Sequence, residues 1–545
     1  MNHDTSVLIL SAGKIPIELE AIFGIMPSGL IPINGKPIIF TIIDKLFDEG
    51  FSKISIIVGY KKNNLIKLLE HHYKNKIKLN FIIADYTKAP GNSIIGSLNI
   101  INNKKLLVIL GDTMVEDNLS ELVSMNKDFV LTSSDFINSE NWCLIKQKNN
   151  FVDEIYDKKI GLSGSDLHVM IGIYFFNSLK TLRDICKDID VNKKIEISNL
   201  LESYMKYFPI SVIKSKQWFD TGHKNTYYAS KIKLLQGRFF NYLEYDIVKN
   251  IVTKTSDNKI KLINEIKWYE NIPDDIKQLI PNVFEYGYFD NPYIKLQHIK
   301  SPTLAELWLY GDLNHERWRT ILKQLSKIIE LFNKHTSVIS HQDYKQVYID
   351  KTEQRISSLI STNKKFKTLL ENDTININGN SYKNWDILKE KIYSKTEKLF
   401  DSTDNCLIHG DLCFSNILYD LNNNSCTIID PRGSWGTSVY GDIKYDIAKL
   451  RHSIVGSYDA INNGLFSLEY KTAEISVDVF KPKNYKKVTI DFDKYIETRW
   501  NINQIKMIEG LLFISMLPLH QDNFEKQLVL YSVGIQRLNE IMNKV

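Results

Sequence analysis

Within residues 406–450 stand four residues whose types and spacing could transfer a phosphoryl group. His409, Asp411 and Asn416 form the pattern H-x-D-x-x-x-x-N, and Asp430 follows 14 residues after Asn416, closing the apolar run TIID. Phosphoryl transfer needs a carboxylate to orient and deprotonate the attacking hydroxyl, and oxygen ligands to hold Mg²⁺ on the nucleotide phosphates. Asp411 suits the first task; Asn416 and Asp430 suit the second. Arg432 follows at once in Asp430-Pro431-Arg432-Gly433. A guanidinium beside the transfer site repels a cation and suits an anionic or hydroxyl-rich acceptor, unless it pairs structurally with an acid such as Asp442.

The run CLIHGDLCFSNILYDLNNNSCTIIDPRGSWGTSVYGDIKYDIAKL (406–450) resembles the catalytic segment of the aminoglycoside phosphotransferase and choline kinase family, relatives of protein kinases that phosphorylate small-molecule hydroxyls. The resemblance implies ATP as donor, Asp411 as base, Asn416 and Asp430 as Mg²⁺ ligands, and structural roles for His409 and Asp446 in bracing the loop. Asp442 could equally be only a helix N-cap. Such a kinase needs a strand lysine held by a helix glutamate, and NIVTKTSDNKIKLINEIKWYENIP (250–273) offers Lys254 and Glu265. The strand and linker YIKLQHIKSPTLAELW (293–308) would carry adenine contacts around Gln297 to Ile299.

The elements that must position these groups change rhythm along the chain. Up to about residue 237, β-branched runs such as SVLIL (6–10), KISIIVGY (53–60), LNFIIADY (79–86), LLVILGD (106–112) and FVLTSSD (129–135) alternate with amphipathic segments. That alternation predicts a mainly parallel sheet covered on both faces, an α/β doubly wound, Rossmann-like domain, with ligands beyond the carboxyl ends of the strands. The boundary falls near Gln236 to Phe239. Residues 238–300 predict a small antiparallel sheet with one helix, and 301–545 a largely helical region with long loops. This is the order of a protein-kinase-like two-lobe domain.

Four segments of the first half, in order, resemble the sugar-phosphate nucleotidylyltransferases, which join an NTP to a phosphorylated metabolite and release pyrophosphate. They are LILSAG (8–13) followed by PSGLIPINGKPII (27–39), PGNSIIGSL (90–98), LGDT (110–113) and QWFDTGHKNTYYASKIKLL (217–235). GIYFFN (172–177), beginning at Gly172, matches the strand that frames the sugar-phosphate pocket. The resemblance implies that Asp112 and Asp220 hold Mg²⁺, that Gly13, Gly91, Asn92 and Ser93 approach the nucleotide, and that Lys158 contacts the substrate phosphate. The chain departs from the family at Ser28, which stands where a phosphate-gripping lysine is usual, and GKIPIELEAIFGIM (13–26) contains no arginine. Either Lys14 or Lys36 supplies that charge, Lys14 being the better placed, or this half only binds.

The composition restricts the rest. The chain has 545 residues, 43% hydrophobic and 24% charged, as in a water-soluble protein of several domains. Its +5 net charge is spread over 69 basic and 64 acidic residues without a dense basic stripe, so nucleic acid is not an expected partner. Five scattered cysteines without a C-x-x-C give no disulfide framework or zinc site. The amino-terminal apolar run is too short for a signal peptide, and no stretch approaches the roughly 18 apolar residues of a membrane span; a cytoplasmic protein is expected. The expected activity is bifunctional: ATP-dependent phosphorylation of a sugar, polyol or amino alcohol, then coupling of the product to an NTP, CTP being one candidate, for a surface glycan. Two alternatives remain open, a kinase with a degenerate binding module and a choline kinase joined to a phosphocholine cytidylyltransferase. Oligomeric state is not readable.

Overall fold

The computed structural model describes residues 4–542 apart from 75, 137, 236–240, 400–403 and 437, so the expected boundary at Gln236 to Phe239 lies outside the described residues. The chain divides into two compact units, Met1–Leu234 and Leu235–Val545.

In the first unit, besides a two-residue pair at Pro32–Ile33 and Lys36–Pro37, the strands are β1 (Thr5–Ser11), β2 (Ile54–Val58), β3 (Leu79–Ile83), β4 (Lys105–Leu110), β5 (Thr113–Val115), β6 (Phe129–Ser133), β7 (Cys143–Lys148), β8 (Phe151–Asp157), β9 (Leu167–Phe176), β10 (Ser211–Lys214) and β11 (Trp218–Asp220). Among the described residues nine of them form one sheet in the order β3-β2-β1-β4-β9-β6-β10-β8-β7. The β3-β2-β1-β4 portion is parallel, and its central strands are continuous apolar runs because helices cover both faces. Val7, Leu8, Ile9, Leu107 and Val108 are fully buried there. The expectation of a mainly parallel sheet holds for this portion and for the β6–β10 pair, which is also parallel. β9 runs antiparallel to β4, β6 and β7, and β7 with β8 forms a hairpin. The β7–β8 hairpin has a local cause: Asn149 and Asn150 take up left-handed backbone between the two strands, a conformation Asn tolerates, and they reverse the chain within a tight turn.

In the second unit β12 (Asn241–Asp246), β13 (Ile251–Ser256), β14 (Val283–Gly287) and β15 (Tyr293–Gln297) make an antiparallel sheet ordered β12-β13-β15-β14. Helix α1 (Lys259–Asn271) packs its Leu262, Ile266 and Trp268 inward. The remainder is mainly helical, including α2 (Lys351–Thr362), α3 (Ile443–Ile454), α4 (Tyr485–Glu497) and α5 (Ile502–Ser515). Two short ladders in it were not expected. β16 (Asn405–Leu407) pairs with Tyr440–Asp442, and a separate sheet joins Thr374–Lys383 to Phe466–Val479. The hairpin of β17 (Ile417–Asp420) and β18 (Ser425–Ile428) directly follows the H-x-D…N segment and ends just before Asp430. Arg451 of α3 is fully buried and makes a two-pronged contact with Asp493 of α4 at 2.9 and 3.0 Å while also pairing with buried Glu509 of α5. Among the described residues no helix is long and apolar enough to cross a membrane.

Candidate functional site

In the first unit, strand pairing brings two distant carboxylates together. β4 ends just before Asp112, and β11 pairs antiparallel with β5 so that Asp220 lies opposite Thr113. The Thr221 amide and hydroxyl both donate to the Asp112 carbonyl, at 3.0 and 2.9 Å. Asp220 accepts from the Gly222 amide at 3.1 Å and from Thr226, and His223 Nδ1 lies 3.1 Å from its Oδ2. A Cβ on Gly222 would sit 3.2 Å from Asp220 Oδ1 and 3.3 Å from Asp112 Oδ2, so both carboxylates face the space beside this backbone. Burial, then the neighbouring Asp220 charge, pushes the Asp112 carboxyl up to about 6. Two convergent oxygens that repel each other fit a hard divalent cation. Among the described residues no group of three or more Asp, Glu, His or Cys side chains could hold a metal alone, so such an ion would draw its other ligands from substrate and water.

These carboxylates line a cavity of about 240 Å³. Trp142, Trp218 and Tyr174 form its aromatic wall, with the two indoles 5.2 Å apart edge-to-face. Asp157, Lys158 and Glu196 add charge to the lining. Lys158 thus lies at the cavity, on left-handed backbone whose amide donates to the Trp142 carbonyl. Gly172 does not line it. Its positive φ of 84° and the close Leu110 side chain show a glycine needed where β9 shifts register. Gly91 and Asn92 are also otherwise engaged. A Cβ on Gly91 would meet the carbonyls of Ile195 and Glu196, and the Asn92 side chain bonds Val191, Lys193 and Ile195 backbone. Both therefore anchor the 191–196 segment, while Ser93, next on the helix, stays partly exposed. The Gly13 carbonyl accepts from the Ser28 amide at 3.2 Å, placing Ser28 beside the β1 turn. Lys14 is half-exposed and pairs with Glu20 at 3.0 Å, whereas Lys36 is held by Asp44.

In the second unit the β17–β18 register sets Ile417 opposite Ile428, and the Ile429 amide donates to the Asn416 carbonyl at 3.0 Å. Asn416 and Asp430 therefore flank the same hairpin end. Asn416 Nδ2 donates to the Asp411 carbonyl and carboxylate at 2.9 and 3.1 Å, leaving Oδ1 uncommitted among the described residues. Asp430 Oδ1 accepts from Lys254 Nζ at 2.8 Å, leaving Oδ2. These two amide and carboxylate oxygens also fit Mg²⁺. Lys254, buried on β13, is held by both Glu265 oxygens at 2.9 and 2.8 Å. Burial opposes its charge, but Asp430 and Glu265 outweigh burial and keep the ammonium well above its ordinary value.

His409 Nε2 donates to the Ile429 carbonyl at 3.0 Å, and its Nδ1 accepts from the Asp411 amide at 3.3 Å. Burial drives the imidazole down to about 4, so it is a neutral brace. Asp446 accepts from the His409 and Gly410 amides at 2.6 and 2.9 Å. Asp442 caps α3 through the Lys444 amide at 3.0 Å and pairs with the Lys444 ammonium, while Arg432 donates to the Tyr445 hydroxyl at 3.0 Å; the Arg432–Asp442 pairing does not form. Gln297 lies at the end of β15, its amide bonded to the Asn282 carbonyl, and Ile299 follows, partly buried.

Sequence reasoning missed Lys449, whose Nζ lies 2.8 Å from Asp411 Oδ1. Burial works to raise the Asp411 carboxyl, but Lys449 prevails and holds it well below the usual carboxylate range. It also missed Trp142, which is one of eight tryptophans and sits in no motif.

Residues 25–237 match the family model described as nucleotidyl transferase, and residues 379–463 match the phosphotransferase enzyme family. The bifunctional protein GlmU of Methanococcus maripaludis is 28% identical over 236 residues, covering 41% of this chain and 54% of that protein. A 2-aminoethylphosphonate cytidylyltransferase of Lancefieldella rimae is 22% identical over 32% of this chain and 68% of its own length. The solved structure of HddC from Yersinia pseudotuberculosis superposes at a TM-score of 0.36 with 22% identity, covering 42% of this chain and 99% of that one. The chain spans about half the length of the GlmU relatives it matches.

Proposed function

We propose that this chain, a nucleotidyl transferase domain followed by a phosphotransferase domain, runs two consecutive steps: ATP-dependent phosphorylation of a small-molecule hydroxyl, then coupling of that phosphate to an NTP with release of pyrophosphate. In the first step Asp411 orients the acceptor hydroxyl and takes its proton, and Lys254 binds the nucleotide phosphates, as in kinases generally. Asn416 and Asp430 would hold Mg²⁺, which neutralises the phosphates when bound. Gln297 and Ile299 lie at the linker expected to meet adenine. In the second step Asp112 and Asp220 would hold the ion on the NTP. Lys158 would meet the metabolite phosphate, Lys14 the triphosphate, and Gly13 and Ser93 the nucleotide. A cytoplasmic enzyme supplying an activated precursor for a surface glycan is the setting this chemistry suits.

The observation that carries the proposal is the 2.8 Å contact between Lys254 and Asp430. It joins residues 176 positions apart into the lysine–glutamate–aspartate set that kinases require. To test it, the full-length protein is incubated with ATP, Mg²⁺ and a panel of hydroxyl metabolites, and ADP is followed. Asp411→Asn and Asp430→Asn should each lower acceptor-dependent ADP release by several powers of ten. Near-wild-type turnover in either folded variant would overturn the assignment.

A further inference from the structure

Helices α2 and α3 aim cations at one place beside the catalytic loop. On α3, Lys449 stands four residues after Tyr445 and pairs with Asp411 at 2.8 Å. The Tyr445 hydroxyl accepts from Arg432 at 3.0 Å, and the Lys351 ammonium lies 5.9 Å from the centre of its ring. Arg355, one turn after Lys351 on α2, donates to the Ser515 carbonyl at 2.9 Å. A π-helical turn, Gln346–Asp350, immediately precedes Lys351 and resets the face that α2 presents.

The charges do not balance. Asp411 is the carboxylate paired with this group, through Lys449, and among the described residues Lys351, Arg355 and Arg432 have no carboxylate partner. At the start of α3, Asp442 is spent on Lys444 and the Tyr348 hydroxyl, and on α2 Glu353 accepts from the Tyr393 hydroxyl at 2.7 Å. Burial, then Arg432, Arg355 and Lys449, pushes the Lys351 ammonium well below its ordinary value. Cations gathered in this way are costly unless an anion joins them. The transferred phosphoryl group would engage Arg432, two residues beyond Asp430. It leaves Lys351 and Arg355 unanswered, because their helix carries none of the proposed nucleotide ligands.

We infer that Lys351, supported by Arg355, binds an anionic group on the kinase acceptor, so that the acceptor is a hydroxy compound bearing a carboxylate or a phosphate. This rests on the kinase proposal above and narrows its acceptor. It disfavours choline and other cationic alcohols for the phosphorylation step.

The test uses the full-length protein and a size-matched series of glycerate, glycerol 2-phosphate, glycerol and choline. ADP release is followed with ATP and Mg²⁺, and binding to the ADP–Mg²⁺ form is measured by calorimetry. Glycerate or glycerol 2-phosphate should be preferred at least tenfold in kcat/KM over glycerol and choline, and which anion is preferred separates carboxylate from phosphate. Lys351→Gln should raise the KM of the anionic acceptor at least tenfold while the KM for ATP changes less than twofold, and Lys351→Arg should recover most of the loss. ADP release with choline or glycerol at equal efficiency would leave the kinase assignment standing and overturn the inference, as would a Lys351→Gln effect on ATP alone. Anion binding lost in Lys351→Gln, without ADP release from any acceptor, would uphold the anion site and contradict the kinase assignment. Absence of both would overturn both.

Discussion

At the scale of single residues, the pairing of Asp411 with Lys449 sets the conditions under which the proposed base can work. An ammonium 2.8 Å away favours the charged carboxylate and outweighs the burial that would protonate it. The sign follows: removing the cation raises the Asp411 pKa. Lys449→Met should therefore move the acidic limb of the kcat/KM profile for phosphorylation toward higher pH by at least one unit, equivalent to about 1.4 kcal/mol. A profile with an unmoved acidic limb would show that Lys449 acts elsewhere. Lys449 was hidden in the sequence because lysine and arginine together number 69, and nothing in the spacing separates one facing a loop 38 residues earlier from a solvated one. Asn416 and Asp430 were visible because a single hairpin places them side by side, so their relation is local.

Among the elements, α3 links the loop of His409 to Asn416 to the helical core. Its amino-terminal turn bonds the loop through Asp446, and its carboxyl-terminal turn is fixed by Arg451 to α4 and α5. Arg451→Leu leaves buried Glu509 without its strongest partner and should destabilise the second unit by about 3–5 kcal/mol, whereas Arg451→Leu combined with Glu509→Leu should cost much less. Chemical denaturation of the single and double variants measures this. The parallel portion of the first sheet was legible because fully buried strands are written as unbroken β-branched runs. The β7–β8 hairpin was not, because CLIKQK and FVDEIYD are polar and half-exposed. The ladder joining Asn376 to Glu474 pairs residues nearly a hundred positions apart, a register that no local pattern specifies.

For the whole molecule, the consequential feature is that two compact units each carry their own core and their own pair of oxygen ligands suited to Mg²⁺. The two chemical steps should then be separable in one chain. The decisive measurement supplies the full-length protein with ATP, a second NTP and the acceptor, and follows ADP and pyrophosphate independently in wild type, Asp112→Ala, Asp220→Ala and Asp411→Asn. Both first-unit variants should lose pyrophosphate release yet keep wild-type ADP formation. Asp411→Asn should lose ADP formation but still release pyrophosphate when given pre-phosphorylated acceptor. Simultaneous collapse of both products in each folded variant, or no pyrophosphate from wild type with any NTP and phosphorylated acceptor, would contradict the two-step proposal.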